Sequence, residues 1–335
     1  MAQPIVLTIG DPAGCGPAIT ALAWQHLQNQ STLSFFVVGP SELYLNRVPT
    51  QQITSPDEVT DVFSAALPIM DTAAPLTCPV VVGTPNSEHA PAIVSSIETA
   101  VHLAQSDQVA GVVTNPISKS VLYEAGFRHP GHTEFIAELC SNHTGHSHHP
   151  VMMLVGGGLK VALATIHIPL RDVSERLNTD DLARVAQTVH NSLKSDFGCA
   201  SPRIAFSGLN PHAGELGTIG REEVELINPV AAQLRNMGLD ISDARPGDTV
   251  FNEALDGGFD AVIAMTHDQG LIPVKVLDFW GGVNTTLGLP IIRTSPDHGT
   301  AYDAAKAETV RADSLIAAIK LASEMAQNRR VSHHG

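Results

Sequence analysis

Short apolar runs alternate with amphipathic stretches along most of the chain. Residues 4–10 (PIVLTIG) and 33–39 (LSFFVVG) read as strands, and 16–29 between them repeats its apolar residues at helical spacing. The same reasoning predicts a helix over 90–106 and strands over 109–116, 151–156 and 159–169. A helix over 179–198 follows, with Thr179 as its N-cap ahead of Asp180 and Asp181. Then come a strand opening 203–214, a helix over 222–238, strands in 259–270 and 289–299, and a last helix over 312–327. Only the Pro- and Thr-rich span 40–90 resists a reading. Strand-then-helix alternation argues for βαβ units and a mainly parallel sheet, an α/β fold. The polar stretch HTGHSHHP (143–150) is a candidate boundary between two halves.

Composition agrees with that class. Hydrophobic residues make up 43% of the chain but aromatics only 4%, so small and branched side chains carry the core, as in buried parallel strands. The 335 residues suit roughly two domains of ~100–200 residues each. A net charge of −15 argues against nucleic acid as a partner, because phosphate contacts need clustered Lys and Arg. It leaves an anionic small molecule open. No apolar run approaches the ~18 residues of a membrane span, and the N-terminus shows no signal-peptide pattern. Cys15, Cys78, Cys140 and Cys199 are scattered without a CxxC, so they read as free thiols of a cytoplasmic protein.

The chemistry should lie beyond the carboxyl ends of the strands. Three of the sixteen histidines follow such ends: His167 after VALATI, His212 after IAFSGLNP and His267 after AVIAMT. Three imidazoles with open positions suit a catalytic divalent metal. Taken singly, each also reads as an ordinary strand-end histidine. The other histidine groups, His143, His146, His148 and His149 in HTGHSHHP and the pair in the tail VSHHG, read as solvated segments. His132 and Thr133 in GHTE are further polar groups expected at strand ends, and Lys275, Asn284 and Arg293, in loops bordering one site, could bind a phosphate. The stretch GDPAGCGP (10–17) is neither GxGxxG nor GxxxxGK[ST]. Gly14 and Gly16 could still let backbone amides approach an anion, and a plain strand–helix turn is the other reading.

Taken together, GDPAGCGP, TNPISKSVLYEAGFRHPGHTEF, VALATIHIPLRDV, GLNPHAGELG, RPGDTVF and HDQGLIPVKVLDFWGGVNTTLGLPIIRTSPDHGTA resemble the 4-hydroxythreonine-4-phosphate dehydrogenase family of pyridoxal 5′-phosphate biosynthesis. The resemblance runs from residue 5 to about residue 325. It implies an isocitrate/isopropylmalate dehydrogenase-like α/β fold, with two α/β/α subdomains flanking a cleft. The cofactor-side subdomain would take residues 1–130 and 290–335, and the metal- and dimer-forming one 131–289. A cytoplasmic homodimer is implied, with the active site at the subunit interface. One divalent ion (zinc, magnesium or cobalt) would be held by His167, His212 and His267, one of them coming from the second copy. His132, Thr133, Lys275, Asn284 and Arg293 would bind the small phosphorylated substrate. NAD or NADP would meet Gly14, Asp297, Gly299 and Thr300. The implied reaction oxidises 4-phosphooxy-L-threonine to 2-amino-3-oxo-4-phosphooxybutanoate, which loses CO2 to give 3-amino-2-oxopropyl phosphate. Asp268, Asp248 and Lys119 are the candidates for the base. Asn115, where Gly or Ala is more usual, and Thr266, where Tyr is, depart from the pattern. Two other readings are a paralogue acting on another phosphorylated four-carbon hydroxy acid or a dihydrodiol, and a phosphate acyltransferase. A non-catalytic metal-storage protein, suggested by the histidine count, is a third.

Overall fold

Among the described residues the strands are, in chain order, β1 (Ile5–Thr8), β2 (Phe35–Val38), β3 (Thr50–Gln52), β4 (Leu67–Met70), β5 (Gly111–Val113), β6 (Val151–Gly156), β7 (Leu159–Leu163), β8 (Arg203–Phe206), β9 (Asp240–Ile241), β10 (Ala261–Ala264), β11 (Val283–Leu287) and β12 (Arg293–Pro296). The computed structural model describes residues 3–30, 32–129 and 131–334. The side chains of the tail histidines lie outside them. Every position of β1, β2 and β10 is buried, which is why their sequences are unbroken apolar runs and not alternations.

The chain divides into two units. The first comprises residues 1–150 and 289–326. Its strands run all parallel in the order β3-β4-β2-β1-β5-β12. Helix Ala90–Gln105 buries Ile93, Ile97, Ala100 and Val101, one stripe at helical spacing, and packs on β1, β2 and β5. The second unit comprises residues 151–288 and 327–335, with strand order β11-β6-β7-β10-β8-β9. Here β6 runs antiparallel to both neighbours and the rest are parallel, so the sheet is mixed. Its core gathers Leu154, Leu159, Val161, Leu163, Val262, Ala264, Phe251 and Val274. No helix among the described residues is long and apolar enough to cross a membrane.

The division falls at Pro150, not at 130, because helix His132–Thr144 packs on helix Ala90–Gln105 of the first unit. Residues 327–335 group with the second unit, and the Asp196 carboxylate grips the start of that segment. Arg329 donates from Nε to Asp196 Oδ1 at 2.7 Å and from Nη2 to Oδ2 at 2.9 Å, and Asn328 donates to the Asp196 carbonyl. Asp196 is only 1% exposed. Removing one member of such a pair strands a buried charge. Arg329→Ala is therefore expected to destabilise the second unit by about 3 kcal/mol, read from urea unfolding.

Two local expectations change. The cap of helix Thr179–Ser195 is Asn178, whose side chain accepts from the Asp181 amide at 2.9 Å, while Thr179 is already helical. The span 259–270 does not run on as strand. After β10, Thr266 caps a new helix, His267–Leu277, by accepting from the Gln269 amide. The departure at Thr266 thus supplies a helix start. Asn115 is buried and donates to the Thr8 carbonyl at 2.9 Å and to Thr20 Oγ1 at 2.8 Å, tying β1 to helix Gly16–Leu27.

Candidate active site

In the first unit, the segment after β1 is wedged between two others. A Cβ on Gly10, which has φ +69°, would stand 2.6 Å from the Pro116 carbonyl oxygen; one on Gly14 would stand 2.8 Å from that of Thr300. Only glycine permits these approaches. The Cys15 amide donates to the Thr300 carbonyl at 2.8 Å. Asp11 is 1% exposed; its Oδ1 accepts from the Ala13 amide at 2.9 Å and its Oδ2 from the Tyr302 hydroxyl at 2.6 Å. Burial first, and then the Asp11 partner, push the Tyr302 phenol up to about 12. Burial likewise pushes the Cys15 thiol up to about 11. Gly299 meets nothing within 4 Å of where a Cβ would stand. A cavity of about 350 Å³ opens beside this loop, bordered by Pro12, Pro17, Arg47 and Glu308. The turn that carries Gly299 is open where a side chain would stand. Asp297 and Thr300 are half-buried on the same turn.

The same unit holds an inward-facing cation. Arg293, the first residue of β12, is 3% exposed and donates from Nη2 to Thr114 Oγ1 at 2.7 Å. Burial lowers its guanidinium to about 10, and the Glu134 carboxylate opposes that shift. His132 opens helix His132–Thr144, and its Nε2 is buried without a hydrogen-bond partner. Burial, then the Arg293 charge, hold its imidazole well below 6.5, so the ring is neutral. Stability should consequently fall as pH drops below 6.5, where the unfolded chain binds a proton that the folded ring refuses. Urea midpoints at pH 5.5 and 7.5, roughly bracketing the ordinary histidine value, test this. Thr133 is half-buried beside His132. Lys119, exposed at the start of helix Lys119–Glu124, and Glu134 both crowd Gly131: a Cβ there would stand 3.6 Å from Lys119 Nζ and 2.8 Å from Glu134 Oε2.

The second unit carries the three histidines. His167 lies in the turn after β7, and His267 is the first residue of helix His267–Leu277. Their ring centroids are 5.3 Å apart. His267 Nδ1 and Asp268 Oδ1 are 2.8 Å apart; with Nδ1 donating, the Nε2 lone pair is left for a ligand. Asp268 itself is exposed. His212 lies in the segment after β8. It sits in a run of left-handed backbone, His212 to Leu216, with φ of 51, 51, 74, 43 and 56°. Such a run costs roughly 1–2 kcal/mol at each non-glycine residue. Buried Glu223 offsets it by accepting from the Asn210 amide at 2.7 Å and from Asn210 Nδ2 at 3.0 Å. His212 Nδ1 pairs with Glu215 at 2.7 Å; that hydrogen bond, and to a lesser degree exposed Asp248, raise its pKa.

Among the described residues no group of three His, Cys, Asp or Glu is placed to hold a metal ion. His167 and His267 lie close to each other, and within one chain they are therefore not part of a group of three such residues. Lys275, Asn284 and Arg293 are not in loops. Lys275 is on helix His267–Leu277, Asn284 on β11 and Arg293 on β12. His132, Thr133 and Arg293 belong to the first unit, Lys275 and Asn284 to the second. Asp11, Tyr302, Glu134 and Glu223 escaped sequence reasoning; only Asp11, inside the glycine loop, gave any signal there.

The family model described as "Pyridoxal phosphate biosynthetic protein PdxA" matches residues 26–322. The chain belongs to the PdxA family. A relative from Caulobacter vibrioides, named 4-hydroxythreonine-4-phosphate dehydrogenase, is 48% identical over 98% of this chain and 99% of that protein. The crystal structure of 4-hydroxythreonine-4-phosphate dehydrogenase from Klebsiella pneumoniae superposes with a TM-score of 0.85 at 35% identity, over 97% of this chain and 100% of that one. A terephthalate 1,2-cis-dihydrodiol dehydrogenase from Burkholderia xenovorans is more distant, at 26% identity and a TM-score of 0.67 over 97% of this chain and 98% of that one. The PdxA fold thus extends to a protein named for an aromatic diol.

Proposed function

We propose that this chain is a cytoplasmic 4-hydroxythreonine-4-phosphate dehydrogenase. It oxidises 4-phosphooxy-L-threonine at C3 with NAD or NADP, and the β-keto acid formed loses CO2 to give 3-amino-2-oxopropyl phosphate, a precursor of pyridoxal 5′-phosphate. One observation carries the reading: a buried guanidinium, Arg293, beside an imidazole held neutral, His132. A buried cation with a neutral hydrogen-bonding neighbour suits a phosphate dianion better than a plain diol. Thr133 adds a hydroxyl, and Lys275 and Asn284 are assigned to the same substrate. Four free thiols suit a reducing compartment.

When bound, a divalent ion (zinc, magnesium or cobalt) supplies Lewis acidity and NAD the hydride acceptor. Within one chain two imidazoles, His167 and His267, lie close enough to share an ion; in the homodimer the remaining imidazole would come from the second copy. Asp268 orients His267 by accepting its Nδ1 proton. Gly14, Asp297, Gly299 and Thr300 border the turn that receives the cofactor. The proton of the substrate hydroxyl goes to Asp248, Asp268 or Lys119. The base is the residue whose replacement removes the acid limb of the kcat profile.

The decisive assay follows reduced nicotinamide with purified protein, 4-phosphooxy-L-threonine and NAD, with and without a chelator. The comparison substrates are other phosphorylated four-carbon hydroxy acids and a dihydrodiol. Turnover of the phosphothreonine, lost on chelation, is the expected result. Turnover of a comparison substrate in its place would sink the assignment.

A further inference from the structure

The Tyr302 hydroxyl joins two segments that are distant in sequence. It donates to Asp11 Oδ2, in the loop after β1, across 291 positions. Tyr302 itself follows the turn after β12. Each segment begins at the carboxyl end of a parallel strand of the first unit. The turn needs holding: Ala301 sits at φ +46°, a conformation that alanine rarely adopts, and no atom lies within 4 Å of where a Cβ on Gly299 would stand. Asp11 also fixes its own loop through the Ala13 amide, and the Cys15 amide then reaches the Thr300 carbonyl. One buried carboxylate thereby ties the glycine loop to the Gly299–Thr300 turn.

We propose that Tyr302 is a positioning residue for the dinucleotide, acting through Asp11 to hold the Gly299–Thr300 turn in its receiving conformation. This rests on the assignment of that turn to NAD. Tyr302 does not touch the reacting atoms. Its phenol instead removes a choice of conformations that the cofactor would otherwise have to select, and preorganisation of that kind appears as affinity.

Tyr302→Phe deletes one oxygen and leaves the ring. NADH is titrated by fluorescence into wild type and variant without substrate, beside steady-state kinetics and thermal unfolding. The dissociation constant for NADH and the KM for NAD should both rise about tenfold, the scale of one hydrogen bond to a charged acceptor. The kcat at saturating NAD and the KM for the phosphorylated substrate should stay within about twofold, and Tm within roughly 2–3 °C. Unchanged NADH affinity in the variant, with normal binding by wild type, overturns the proposal. So does a large fall in Tm with equal losses in kcat and both KM values, which is the signature of a structural hydrogen bond. If wild type itself fails to bind NADH, the assignment of the turn to the dinucleotide fails, and the proposal with it.

Discussion

Replacing His267 by alanine is expected to lower kcat/KM by about 10³-fold or more, the scale of a lost Lewis acid or a lost charge-stabilising donor. The protein should stay folded, because the His267 side chain is 27% exposed and lies outside the apolar core. Its place supports this. Residue 267 opens a helix capped by Thr266, with its ring turned by Asp268 and 5.3 Å from that of His167. Metal content after dialysis should fall with activity. The sharp control is the quadruple replacement of His143, His146, His148 and His149. These lie in the last turn of helix His132–Thr144 and the stretch after it, where His148 pairs with the Thr144 hydroxyl. Their loss should leave both activity and bound metal within about twofold, as expected of solvated side chains without supporting shells. If the quadruple variant loses its metal and His267→Ala keeps it, the metal belongs to the histidine-rich stretch and the assignment of His267 is wrong.

Sequence made β1, β2 and β10 legible because strands buried on both faces must be apolar throughout. The same logic hid β3. Its TQQ is half-exposed at the edge of the sheet and carries no pattern. Helix His267–Leu277 was hidden by its own breakers, Gly270 and Pro273. Gly270 serves packing: a Cβ there would meet Leu163 Cδ2 at 2.5 Å, so a larger residue would force the Leu163 side chain to move where the helix lies on β7. Propensity penalises that residue, and tertiary packing favours it. The left-handed run at His212 was also unreadable, because four of its five residues are not glycine and the compensation comes from Glu223. For the site, residue types at strand ends pointed to His167 and His267. The Asp11–Tyr302 bond is invisible to any local pattern.

Arg293→Met should separate function from stability. A buried guanidinium is costly to desolvate, and a methionine of similar length fills its space without that cost while leaving the half-buried Glu134 access to water. Arg293 is 3% exposed, and burial lowers its guanidinium to about 10, so it keeps its charge at neutral pH but at a desolvation cost. Tm should therefore stay within roughly 4 °C of wild type. If the guanidinium receives the substrate phosphate, kcat/KM should fall by about 10²–10³-fold, the loss of a charge-assisted, two-pronged contact. Most of the fall should appear in the KM for the phosphorylated substrate, with NADH affinity unchanged. Arg293→Lys should recover little, because an ammonium keeps the charge without the fork and cannot both reach Thr114 Oγ1 and grip a phosphate. Inorganic phosphate supplies a direct reading: it should inhibit wild type competitively against substrate and scarcely affect the methionine variant. If Arg293→Met unfolds the first unit while phosphate still competes in Arg293→Lys as in wild type, the guanidinium is a structural strut of β12, and the substrate's anion is held by other groups.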